Sequence, residues 1–202
     1  MTGPIAEPPA RKPRADAERN RKRLLQVAKV VFRRKGASAS LEEIAREAAV
    51  GIGTLYRHFP TRTELVQAVY LDELDLLEQS ADQLSASEPP VEALRLWLFV
   101  FIDFMVAKRI VREVLETMVG GAKWPVDAGS RIEGAVTRLT DRAVESGLIV
   151  LPLQPMDLLR AIIGVAMSAP DAGWEDGARR LVDVLIAGLQ RDQSGKNRST
   201  VG

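Results

Sequence analysis

Apolar residues recur at spacings of three and four along most of the chain, the period of an α-helix. No stretch shows the strict alternation of a half-buried strand. Leu24, Ala28, Val31 and Phe32, widened by Leu25 and Val27, form the first stripe and predict a helix from about Asp16 to Lys35. Arg19, Lys22, Arg23, Arg33 and Arg34 take its opposite face, and Gly36 is placed to cap its C-terminus. Ser40 and Glu43 have capping-box spacing, so a second helix starts at Leu41, turns Leu41, Ile44, Ala45 and Ala48 inward, and ends near Ala49. Val50 and Gly51 make a turn into a third helix from Ile52 to His58, stopped by Pro60. Thr61 and Glu64 are a second capping-box pair, opening a long helix through Leu65, Val69, Leu76, Leu77 and Leu84.

After the run Ala86 to Pro90, Val91 to about Ala107 is apolar nearly all round, as in a buried helix. A shorter helix is predicted from Arg109 to Val119, before a break at Gly120-Gly121 and Trp124-Pro125. Ala128 to Ser146, closed by Gly147, is the next helix, and Pro152 and Pro155 bracket a loop. Met156 to Met167 and Trp174 to Leu189 are the last two. The expected fold is therefore all-α, about nine helices, in a three-helix head and a helical body. Residues 1–15 are proline-rich and expected to be a disordered basic arm, residues 16–62 the head, residues 63–190 the body and residues 191–202 a disordered tail. Arg11, Lys12 and Arg14 suit either an arm that touches DNA or a merely solvated tail. There is no internal repeat.

The 202 residues are 46% hydrophobic and 27% charged, ordinary for a globular protein. No apolar run is long enough to span a bilayer, and the first residues lack the apolar centre of a secretory signal, so a cytoplasmic protein without a membrane partner is expected. With no cysteine and one histidine, neither a disulfide framework nor a thiolate or imidazole metal site is expected, and no cofactor. The overall charge of +1 hides a division: residues 1–65 hold 14 Lys and Arg against 7 Asp and Glu, residues 66–202 hold 14 against 20. A basic head on an acidic body suits a protein that presents one end to a polyanion, although a chance imbalance of solvated faces gives the same numbers.

Residues 40–59 carry the chemistry. Two short helices joined by a tight turn, the second polar and interrupted only by Leu55 and Phe59, have the form of a helix-turn-helix whose second helix enters a DNA groove. Leu55 and Phe59 are four apart and would pack on Ile44, Ala48 and the Leu24, Ala28, Phe32 stripe. Ile52, Gly53, Thr54, Tyr56 and Arg57 are left to face outward. Gly51 and Gly53 have no side chain to hold the backbone off a duplex, and Tyr56, Arg57 and His58 all carry donors for phosphate oxygens. Ser40, Thr61 and Arg62 are further candidates for phosphate contacts; Ser40 and Thr61 also serve as helix caps, and the two roles are compatible. His58 has no Cys or acid–base partner nearby in sequence, and no nucleophile–base pair or phosphate loop supports an enzyme.

The same region resembles the head of the tetracycline-repressor (TetR) family of bacterial transcriptional regulators. The shared pattern runs through Arg23-Leu24-Leu25, Ala28, Phe32, Gly36, Ile44-Ala45, Ala48, Val50, Gly53-Thr54-Leu55-Tyr56, His58-Phe59 and Glu64-Leu65. The resemblance implies that Ile52, Gly53 and Thr54 lie in the major groove and that Tyr56 and His58 contact the backbone. Relatives commonly carry lysine where this chain has Arg62, which still supplies a cation but with a different geometry, and often serine, which would cap the recognition helix and contact phosphate, where it has Gly51. With few side chains able to reach base edges, water and DNA shape would carry part of the specificity.

A single recognition helix reads only a few base pairs, so two copies about one DNA turn apart are expected, on a palindromic operator. Leu181, Val182, Leu185, Ile186 and Leu189 on the last helix, and Leu158, Ile162, Val165 and Ala166 on its predecessor, are the candidate homodimer interface, as part of a four-helix bundle. Part of each stripe must fill the chain's own core. The resemblance also implies a small-molecule effector in the body. Trp97, Phe101, Met105, Met118, Trp124 and Met167 are candidate pocket residues, against the plainer expectation that an aromatic stripe is core. Asp103 and Arg112 are possible polar anchors or surface residues. The reading from sequence is a ligand-released repressor; a DNA-binding protein without a ligand is its alternative.

Overall fold

The hydrophobic stripes close into helices throughout the computed structural model, which describes residues 13–116, 127–168 and 173–190. Among the described residues there are eight α-helices, one 3-10 turn and no strand. They fall into two compact units. One takes the described residues up to Val69 and those of a later helix from Ile110; the other takes Tyr70–Arg109 and the described residues that follow.

In the first unit, α1 (Pro13–Lys35) opens three residues before the expected Asp16. Proline suits that position, because its missing N–H is one the first helical turn leaves unpaired. The rest of the expected arm, residues 1–12, lies outside the described residues. Arg33, Arg34 and Lys35 occupy the last turn, where cations oppose the partial negative charge of the helix end. Gly36 follows with φ 54°, and the 3-10 turn Gly36–Ser38 leads to α2 (Leu41–Glu47). α2 ends at Glu47, two residues early, because Ala49 takes φ 53°, a left-handed conformation that cannot continue a helix. α3 (Ile52–His58) follows, then α4 (Arg62–Ser87). Leu24, Ala28 and Phe32 of α1, Ile44 and Ala48, Leu55 and Phe59, and Leu65 and Val66 are all buried. α1 packs on both α2 and α3.

The second unit begins inside α4. The α5 helix (Pro90–Glu116) is continuous, whereas the sequence suggests a break near Lys108. Nothing between Val91 and Glu116 is glycine or proline, so the charged pair Lys108-Arg109 interrupts the apolar stripe without interrupting the backbone. Then come α6 (Ala128–Glu145), α7 (Pro155–Ser168) and α8 (Trp174–Leu189). Leu74 and Leu77, Leu94, Trp97, Leu98 and Phe101, Val136 and Leu139, Leu158 and Ile162, and Val182 and Ile186 form the core. Leu76, expected in the α4 stripe, is exposed, and Leu74 takes its place inside.

Three arginines on one face of α6 grip α4. Arg131 bonds Asp75 at 2.6 Å and Glu78 at 2.5 Å, Arg138 reaches Asp82 at 3.4 Å, and both terminal nitrogens of Arg142 donate to the Glu88 carbonyl at 3.3 Å. The partners advance together along both helices, so α4 and α6 run parallel here. Ile149 pairs with Gln190, and the Val150 N–H donates to the Leu189 carbonyl at 2.9 Å, tying the end of α8 to the loop after α6. No helix among the described residues is long and apolar enough to cross a membrane.

Candidate nucleic-acid interface

The exposed face of α3 is set by what its other face buries. Leu55 and Phe59 are shut in against α1 and α2. A seven-residue helix then has little freedom left, and Ile52 and Tyr56, four apart, must point out. They are 39% and 44% exposed. Gly53 and Arg57 are exposed beside them, and Thr54 and His58 are half-buried. Arg57 folds over its own helix, its Nε donating to the Gly53 carbonyl at 3.2 Å and Nη2 to the Thr54 hydroxyl at 3.1 Å. The His58 ring lies 6.3 Å from that of Phe59. Arg21 of α1 stands over the other side of the site's base, 5.4 Å from the Phe59 ring, a cation–π contact no local sequence signal announces.

Gly51 is the N-cap residue of α3 and supplies no side-chain hydrogen bond. A Cβ built at Gly51 or at Gly53 would meet nothing within 4 Å. The fold therefore does not require glycine at either place, and the pair leaves an open strip at the start of α3.

Both predicted caps are present in half. The Ser40 hydroxyl accepts the Glu43 N–H at 3.1 Å, and the Thr61 hydroxyl accepts the Glu64 N–H at 3.1 Å. The reciprocal carboxylate bonds of a full capping box are replaced. Glu64 accepts from the Thr61 hydroxyl at 3.2 Å, and Glu43 turns to α1, where Lys35 donates at 2.8 Å and Arg34 at 3.0 Å. Arg34 also bonds Glu47 at 2.6 Å. The Lys35 ammonium holds the Glu43 carboxyl below the usual carboxylate range, with Arg34 adding to the effect. These pairs span eight to thirteen residues, so they bolt α2 to the end of α1.

Arg62 is placed differently from the expected phosphate contact. Its guanidinium turns inward: Nη1 donates to the Ala39 carbonyl, Nη2 to the Ala37 carbonyl at 2.9 Å, and its centre lies 5.4 Å from the Phe32 ring. Partial burial lowers its pKa from arginine's ordinary value.

In the second unit the expected pocket residues divide. Trp97 and Phe101 are buried and stacked on each other with ring centres 6.0 Å apart. The Trp97 indole N–H donates to the Leu77 carbonyl at 3.0 Å. Both therefore fill the core. Met105 is half-buried and Met167 is 73% exposed. Met118 and Trp124 lie outside the described residues. Asp103 accepts from Arg179 at 2.6 Å, which leaves it on the surface; of the Arg112 side chain nothing is described. Of the nine expected interface residues, Leu158, Ile162, Val182 and Ile186 are already closed off within the single chain. Val165, Ala166, Leu181, Leu185 and Leu189 keep accessible surface. No group of three or more His, Asp or Glu side chains gathers to hold a metal among the described residues.

A short helix anchored by two apolar residues on a pair of packed helices, with polar and small residues outward, defines a helix-turn-helix protein. Residues 24–69 match the family described as bacterial regulatory proteins, tetR family. A crystal structure of a TetR transcriptional regulator from Streptomyces coelicolor is 39% identical, with a TM-score of 0.76 over 84% of this chain and 98% of that one. Another, from Mycobacterium vanbaalenii, is 31% identical, with a TM-score of 0.70 over 88% of this chain and 99% of that one. A helix-turn-helix transcriptional regulator of Staphylococcus aureus (strain USA300) is 29% identical over 105 residues, 51% of this chain and 57% of that protein, so the match spans little more than half the length of such relatives. The chain belongs to the TetR family of transcriptional regulators.

Proposed function

We propose that the chain is a sequence-specific repressor that binds a palindromic DNA operator as a homodimer in the cytoplasm and is released by a small-molecule effector. The observation that carries the DNA reading is α3 itself. Its apolar face is fully used inside the first unit, and the outward face spends Ile52, Tyr56 and two open glycines on solvent with no structural return. The surplus of cations in residues 1–65 supports a polyanion as the missing partner.

α8 supports the homodimer. Trp174, Ala178, Val182 and Ile186 of its apolar stripe are buried, Leu181, Leu185 and Leu189 of the same stripe keep accessible surface, and Val184 beyond its edge is exposed. A stripe wider than the chain's own core covers calls for a second covering surface, and a second copy supplies it by symmetry. Effector occupancy in the second unit would change the spacing of the two recognition helices, and a pair off the one-turn spacing cannot fill both half-sites. The packing of Trp97 and Phe101 as core favours a second reading, a regulator that works without a ligand.

Selection of bound duplexes from a random pool, followed by anisotropy titration, tests the DNA reading. A preferred palindrome with a steep loss of affinity on adding salt is expected; no preference at moderate ionic strength sinks it. Tyr56→Ala should weaken binding to that duplex about tenfold, roughly 1.4 kcal/mol, with little change in melting temperature, since the residue is 44% exposed.

A further inference from the structure

We propose that Arg62 is a positioning residue that holds the recognition helix in its reading pose, rather than a contact to phosphate. The inference rests on the DNA-binding function proposed above. One guanidinium spans three parts of the first unit. It belongs to the first residue of α4, it bonds the Ala37 and Ala39 carbonyls between α1 and α2, and it lies over the Phe32 ring of the α1 core. A planar fork can span two carbonyls and lie flat on a ring face at once; a lysine ammonium has three donors, but on one nitrogen with no flat face to lay on the ring.

The two carbonyls stand immediately before Ser40, the residue that starts α2. α2 runs through the tight turn at Ala48 to Gly51 directly into α3. Fixing the entry of α2 against the first turn of α4 therefore fixes where α3 stands relative to α4. To reach a phosphate, Arg62 would have to abandon both carbonyls, which would then lose their charge-assisted bonds, and leave the Phe32 face bare. Tyr56, exposed on α3, needs no such rearrangement.

The test uses the full chain and a duplex that the wild-type protein selects from a random pool, with a scrambled duplex of equal length for comparison. Arg62→Lys and Arg62→Gln are each expected to lower affinity for the selected duplex tenfold or more and to leave that for the scrambled duplex nearly unchanged. The slope of log affinity against log salt should stay at the wild-type value in both. A phosphate contact predicts the opposite: Arg62→Gln reduces the slope by about 0.9 per site and Arg62→Lys restores it, which would overturn the proposal. So would a lowered melting temperature with an unchanged ratio of selected to scrambled affinity, the mark of a merely structural fastening. In the wild-type protein, the Arg62 guanidinium protons should exchange slowly without DNA and keep that protection when the duplex is added; fast exchange in the free protein overturns the clamp. If the wild type selects no duplex, the DNA-binding function fails, while the exchange measurement still judges the clamp separately.

Discussion

At the scale of single residues, the first unit carries two departures from what its backbone would favour. Gly53 lies within a helix, where glycine costs about 0.5–1 kcal/mol relative to alanine, and no neighbour excludes a methyl group. Gly53→Ala should therefore stabilise the protein by about that amount, read as a higher urea midpoint, yet lower affinity for a selected duplex severalfold, because the added carbon stands where the duplex is proposed to approach. A variant that gains stability with no loss of affinity would place the duplex elsewhere. Ala49 is the second departure, the one non-glycine residue with positive φ among the described residues. Its left-handed conformation costs about 1–2 kcal/mol, and glycine gives back part of the relief through its freer unfolded chain. Ala49→Gly should stabilise the protein by roughly 0.5–1 kcal/mol, read as a higher urea midpoint. The tight turn was legible in the Val50-Gly51 pair, but a glycine-like backbone at an alanine leaves no mark in the sequence.

At the scale of elements, helices were legible because each buries a stripe whose period survives in the sequence, as Leu24, Ala28, Phe32 and then Leu55, Phe59 show. The continuity of α5 was not, since a charged pair in an apolar stripe resembles a boundary unless glycine or proline is required to make one. Nor were the ionic bolts. Glu43 has the spacing of a capping residue, and its alternative partners, Arg34 and Lys35, are identifiable only after α1 and α2 are packed. The bolt has a pH signature. Because Lys35 and Arg34 hold the folded-state carboxyl of Glu43 below its ordinary range, its stabilising contribution is fully present above the unfolded-state value of about 4.3 and is lost as pH falls through the lower folded value. Glu43→Gln should lower the urea midpoint at pH 7 and flatten its decline in the acid range. A variant whose acid profile parallels that of the wild type would remove Glu43 from the account.

At the scale of the whole molecule, the division of charge in the sequence and the division of the chain into two units tell a consistent story: a basic recognition element and a separate helical unit with apolar surface to spare. The interface stripes were legible as apolar, but not as only partly covered. Periodicity counts Val182 and Leu185 alike, and only packing reveals that Val182 is spent inside while Leu185 is not. Val184 makes the sharpest probe. It is 67% exposed in the single chain, so a polar replacement costs that chain little. In a twofold assembly every substitution enters twice, and two carboxylates near the axis repel each other while losing water. Val184→Glu should therefore leave the helical circular dichroism and the folded first unit intact, and shift sedimentation from dimer to monomer at micromolar concentration. Each head would then have to find its half-site alone. Losing the linkage of two sites removes an advantage of about 10²–10⁴, so affinity for a full palindrome should collapse toward that for a half-site, which itself stays unchanged. If the variant still sediments as a dimer and keeps full palindrome affinity, the outer face of α8 is not where two copies meet.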